Sequence, residues 1–116
     1  MKALALFSIL VSMWLSGCTE KFGQSVDSNA PRATVIKIIT DQSLSSKVIN
    51  IEGTILTECE AGCWFFLKDD TGHILVDLAP SHFTIPSKVG KKALVTGTVS
   101  REKDDVKVIA KAVEIH

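Results

Sequence analysis

Val48-Ile49-Asn50-Ile51-Glu52-Gly53-Thr54-Ile55-Leu56 is the stretch that decides the architecture. Ile49, Ile51 and Ile55 fall on one side of a two-residue period, with Asn50, Glu52 and Thr54 on the other. Successive side chains of a strand point to opposite faces, so this pattern predicts a strand with one buried face. The period returns in residues 63–69, in Ile74, Val76 and Leu78, in residues 94–99 and in residues 106–115. Together these predict five strands whose core includes Ile51, Ile55, Leu67, Ile74, Val76 and Val95. Gly53 and Gly97 lie inside strands, where they predict bulges or the tight coiling that a small closed barrel requires.

The punctuation between the runs orders them. Glu60-Ala61-Gly62 puts glycine where a three-residue hairpin needs a left-handed residue. Asp70-Thr71-Gly72 and Lys103-Asp104-Asp105 mark two further turns. The remaining connection, residues 79–90, is longer and carries Pro80, Phe83, Ile85 and Pro86. Five strands with one longer link after the third is the layout of the OB-fold, a small all-β barrel.

Glu52-Gly53-Thr54, Leu67-Lys68-Asp69-Asp70-Thr71-Gly72, Gly90-Lys91-Lys92 and Val95-Thr96-Gly97 resemble the bacterial OB-fold proteins related to nucleic-acid-binding anticodon-type domains. The segment Glu58-Cys59-Glu60-Ala61-Gly62-Cys63-Trp64 is similar to an element of exported OB-like domains. The resemblance implies a binding module and fixes no ligand, because one fold hosts many functions.

Upstream of the strands, residues 33–46 are ambiguous. Val35, Ile36, Ile38 and Ile39 are β-branched, yet Val35, Ile38, Ile39 and Gln42 also sit at helical spacing. The segment is expected to be a short helix or an irregular strand packed on the barrel. Residues 19–32 are rich in Ser, Asn, Asp, Gly and Gln, with Phe22 and Val26 as their sizeable apolar side chains, and read as a flexible tether.

The chain opens with Lys2 and the apolar residues 3–15, too short a stretch for a spanning helix of about 20 residues. It reads as a signal peptide. Leu15-Ser16-Gly17-Cys18 then resembles the bacterial lipobox. That resemblance implies cleavage before Cys18, acylation of its sulfur and a lipid-membrane partner, each buried methylene contributing roughly 0.8 kcal/mol. Thr19 in the second mature position implies the outer membrane, with the domain facing the periplasm. The expected organisation is a signal peptide (residues 1–17), a tether (18–32) and an OB-fold domain (33–116).

The charge balance narrows the partners. Lys and Arg number 13, as do Asp and Glu, and removal of Lys2 with the signal peptide leaves 13 − 1 = 12 against 13. Nucleic-acid binding draws most of its non-specific affinity from basic residues on phosphates, so a neutral chain argues against nucleic acid. A small molecule, a glycan or a protein is the expected ligand.

Three groups of residues are candidates for chemistry. Cys59 and Cys63 flank the predicted hairpin and would face each other on the core side near one end of the barrel, within reach of a disulfide. An exported protein meets oxidising conditions, which favours that bond. The alternative is a thiol redox or soft-metal site, with His73 as a further ligand, although three intervening residues do not match the commoner two-residue spacing. Trp64, Phe66 and Lys68, together with Leu75 and Asp77 of the next strand, would share the outer face used for ligands in OB-folds. Exposed rings there could stack on a base, sugar or peptide; the competing expectation is that residues 35–39 cover them. Asp69 and Asp70 are explained by a turn. No nucleophile, base and orienting group occur together and no phosphate-cradling glycine loop is present, so neither an enzyme nor a cofactor is expected.

Overall fold

A computed structural model describes residues 19–116. The segment read as a signal peptide (residues 1–17) and Cys18, the expected lipidation position, lie outside the described residues. Six strands and one short α-helix form β1 (Glu20–Gly23), α1 (Val35–Thr40), β2 (Val48–Glu58), β3 (Trp64–Asp69), β4 (Gly72–Asp77), β5 (Lys92–Glu102) and β6 (Asp105–Ile115). The strand order is β1-β6-β4-β3-β2-β5, and β5 also pairs with β6, so β2 to β6 close into a five-stranded barrel. All barrel pairings are antiparallel except β4 with β6, which run parallel at Leu75–Asp77 beside Lys107–Ile109.

The alternation in sequence becomes the inside and outside of this barrel. Ile51, Ile55, Leu67, Ile74, Val76 and Val95 are all buried, with Phe65, Ile49, Val99 and Val108 beside them, whereas Glu52 and Lys68 are exposed. Burying each large aliphatic side chain contributes roughly 1.5 to 3 kcal/mol, and only one strand register buries all of them at once. Gly53 makes no bulge. A Cβ there would come within 2.3 Å of the Lys68 carbonyl oxygen, so the glycine permits close approach of β2 and β3. The ladder slips at Leu56 on β2 and, as expected beside Gly97, at the Thr96–Gly97 step of β5, where Lys111 is the extra residue on β6.

The ambiguous segment resolves as a helix with an irregular flank. Thr34 caps α1 through its hydroxyl, which accepts from the Lys37 amide at 3.3 Å, and Val35 and Ile38 are buried against the barrel. The backbone amides of Val35 and Ile36 donate to Asp69 Oδ2 at 2.9 Å and Thr71 Oγ1 at 3.0 Å, while the Arg101 guanidinium donates to the Ile38 and Ile39 carbonyls. α1 is thereby held across one end of the barrel.

The segment expected to be a flexible tether is largely built into the fold. Residues Glu20–Gly23 pair antiparallel with Ala112 to Ile115 of β6, placing Phe22 against the core. Asn50, expected to face outward, is 5 % exposed: its Nδ2 donates to the carbonyls of Asp27 at 2.7 Å and Ala30 at 3.3 Å. Its backbone amide donates to Pro31 O, Thr96 Oγ1 donates to Asn50 Oδ1, and the Asp27 amide donates to Thr96 Oγ1. A composition too polar to build its own core is thus ordered by hydrogen bonds to a barrel formed elsewhere in the chain.

Candidate functional site

The five residues assigned to a ligand face lie together. In the β3–β4 ladder Trp64 stands opposite Asp77, Phe66 opposite Leu75 and Lys68 opposite His73. All six alternate with the buried Phe65, Leu67, Ile74 and Val76 and therefore belong to the outer surface. The rings of Trp64 and Phe66 meet edge to face at 5.8 Å, and Phe66 meets the His73 ring in the same way at 5.8 Å. The result is an aromatic row along β3 that turns onto β4. A groove of about 450 Å³ runs beside it, lined by Phe66, His73, Leu75, Ile39, Glu102 and Lys107.

Lys107 enters because β6 runs parallel to β4, and its ammonium donates to Asp77 Oδ2 at 2.9 Å. Sequence reasoning missed Lys107 and Glu102, since only closure of the barrel brings them to β4. His73 was legible from parity with Leu75 and Asp77 but was set beside the cysteines instead. The expectation that residues 35–39 cover the rings is not met. Only Ile39, 39 % exposed, reaches this groove, because α1 turns its buried side to the barrel end.

The cysteine hairpin departs from its expected register. Ile55 pairs with Leu67, but past the slip at Leu56 the partners are Thr57 with Phe66 and Glu58 with Phe65. Cys59 consequently donates its amide to Trp64 O at 2.9 Å, and the loop between them has four residues instead of three. Both cysteines are half-buried thiols whose Sγ atoms lie 2.7 Å apart. Gly62 has a φ of 75° and no room for a Cβ against the Ile85 backbone. Ile85 N donates to Gly62 O and Leu78 N to Cys63 O, so the hairpin tip is stapled to the long link.

The hydrogen bond from Cys63, joined by the backbone amides of Cys63, Ala61 and Gly62, draws the Cys59 thiol below its ordinary value. The same sulfur–sulfur hydrogen bond, with burial, pushes Cys63 up. Cys59 lines a groove of about 710 Å³ with Leu56, Glu58, Thr84, Ile85 and Val89. The alternative metal set does not assemble: Cys63 precedes β3, whereas His73 pairs with Lys68 toward the strand's far end, roughly 16 Å along at 3.3 Å per residue. Among the described residues no three His, Cys, Asp or Glu side chains are grouped to hold a metal ion.

Asp69 is fully occupied in its turn. Oδ1 accepts from the Thr71 amide and hydroxyl and from the Gly72 amide, and Oδ2 accepts from Val35. Burial pushes its pKa up, but these hydrogen bonds outweigh it and hold the carboxyl below its ordinary value. A carboxylate so engaged has a structural task.

The closed five-stranded barrel has counterparts among solved structures. The barrel is an OB-fold. A hypothetical protein, YgiW from E. coli, matches with a TM-score of 0.57 at 18% identity, over 80% of this chain and 100% of that one. A putative aspartyl-tRNA synthetase from Leishmania major matches with a TM-score of 0.60 at 13% identity, over 94% of this chain and 25% of the synthetase. The S. pombe Stn1–Ten1 complex matches with a TM-score of 0.52 at 14% identity, over 73% of this chain and 75% of that one. No family model matches the sequence, and no curated protein does so either. Similarity at these identities establishes the fold, and function must come from the site.

Proposed function

We propose that this chain is a non-enzymatic envelope lipoprotein, anchored through acylated Cys18 in the outer membrane and facing the periplasm, whose OB barrel binds a ligand on the Trp64–Phe66–His73 face. The observation that carries the reading is the aromatic row left open beside a groove lined by Phe66, His73 and Lys107, whose ammonium pairs with Asp77 of the same face. Rings of this kind stack on flat or ring-shaped partners, each stacked base contributing about 1 to 3 kcal/mol where a base is bound. Paired rather than surplus charge favours a glycan, a small molecule or a peptide over a nucleic acid. In the oxidising periplasm Cys59 and Cys63 form a disulfide that fixes the hairpin bearing Trp64.

Trp64 is the reporter, as the single tryptophan after Cys18. Soluble peptidoglycan fragments are expected to change its emission saturably, and Phe66→Ala to weaken that response by about tenfold, whereas oligodeoxythymidine should act only at low salt. Tight, sequence-tolerant binding of the oligonucleotide at physiological salt would replace this reading with a nucleic-acid one. A second reading, thiol exchange at Cys59, is supported by its lowered pKa and its place in the groove. It requires a free Cys59 thiol in protein isolated from native membranes.

A further inference from the structure

The beginning of the described chain is fixed to one end of the barrel. Glu20 opens β1 opposite Ile115, its carboxylate accepts from Lys88 Nζ at 2.7 Å, and Thr19 Oγ1 lies 3.5 Å from His116 Nδ1. The His116 amide in turn donates to the Lys92 carbonyl at 2.9 Å. Cys18 stands two positions before Glu20 with only Thr19 between them, a reach of at most about 7 Å at 3.3 to 3.6 Å per residue. Whatever holds Cys18 therefore lies close to this end and cannot swing freely around the domain.

What that end presents is the turn leading into β5. Gly90 N donates to Ile55 O and Ile55 N to Lys91 O, which presses the turn onto β2. Val89 is 53 % exposed and Leu56, turned out by the slip in β2, is 41 % exposed; both line the groove beside Cys59. Leu56 also lines a second concavity together with Lys92. Lys88 is engaged: its ammonium pairs with Glu20 and its amide donates to the Glu58 carboxylate. Lys91, Lys92 and Lys21 are exposed and make no ion pair among the described residues. The opposite end of the barrel carries α1, bound to Arg101, and the β5–β6 turn at Lys103.

We propose that the Val89–Lys92 turn with Leu56 and Lys21 is a membrane-contact surface that lays the barrel against anionic phospholipid headgroups. The proposal rests on acylation of Cys18, which is part of the reading above. Two exposed aliphatic side chains among unpaired lysines match an interface of headgroups and upper acyl chains, and the acyl anchor keeps them there. The orientation stands the aromatic face of β3 and β4 on the side of the barrel, its Trp64 end toward the membrane and its His73 end toward the periplasm.

The test uses the acylated chain purified from membranes, with intact-mass measurement of lipid on Cys18, reconstituted in vesicles with and without about a third of phosphatidylglycerol. Lysines are footprinted with a water-soluble amine reagent. Lys91, Lys92 and Lys21 should label at least about fivefold more slowly on the anionic vesicles than in detergent micelles, and high salt should reverse this, while Lys37 and Lys103 stay unchanged. In an acylated Lys91→Glu, Lys92→Glu double variant, Lys21 should return to its micelle rate. An acylated chain whose Lys91 and Lys92 label equally in both settings overturns the contact surface and leaves the anchor standing. Equal protection on vesicles lacking phosphatidylglycerol overturns the headgroup assignment. A chain without lipid on Cys18 overturns anchor and surface together.

Discussion

At the scale of single residues, Asn50 and Asp69 show how polar groups hold this domain together. The Asn50 side chain is buried and satisfies the carbonyls of Asp27 and Ala30 and the hydroxyl of Thr96. Removing one partner of such a network leaves the others buried without water, at about 1 to 3 kcal/mol. Asn50→Ala is expected to lower stability by that amount, and hydrogen exchange should show residues 24–33 opening before the barrel does. Asp69 makes a prediction about pH. Its folded pKa lies below the unfolded value of about 3.9, so its stabilisation is fully present above that value and is lost as pH falls through the folded pKa. Asp69→Ala should therefore destabilise the domain at neutral pH, and the gap to the parent chain should close in urea titrations repeated at progressively lower pH below about 4. A gap that persists unchanged into strong acid would assign the loss to packing instead of the carboxylate.

Among the elements, the β2–β3 hairpin shows where local reading reaches its limit. Period two gave each strand its inward face, and Phe65 and Leu67 are buried as expected. Counting back from Ile55 opposite Leu67 set Cys59 opposite Cys63, but the slip at Leu56 moves every later pair by one residue. Nothing in Leu56-Thr57-Glu58 announces a slip; in the fold it follows Ile55, whose two backbone groups bond to the Val89–Lys92 turn far along the chain. The sulfurs still lie 2.7 Å apart. Protein isolated from an oxidising compartment should show neither Cys59 nor Cys63 reactive to a thiol reagent without prior reduction. The double change Cys59→Ser, Cys63→Ser should lower stability by about 2 kcal/mol or less, since the loop closed is short. Quantitative labelling of both thiols in native protein would remove the disulfide.

At the scale of the whole molecule, the proposed anchor at Cys18 would be joined closely to the barrel, because the residues that follow it are used as β1 and as a strap over Asn50. Cys18→Ser should abolish incorporation of labelled palmitate and shift the protein out of the detergent phase in a partition assay; a parent chain already in the aqueous phase would refute the anchor. Sequence alone determined the five barrel strands and their inward faces, since alternation records which side of each strand meets water. It also placed Trp64, Phe66, Leu75 and Asp77 on one surface, since parity along neighbouring strands is a local property. Tertiary structure alone decided that Lys107 and Glu102 join that surface, that Asn50 is buried and that residues 20–33 are ordered. Each of these depends on pairing between segments far apart in the chain, β4 with β6, β2 with the strap and β1 with β6. Such pairings appear only when the barrel closes, because the hydrogen-bonding edges that order those residues do not exist until then.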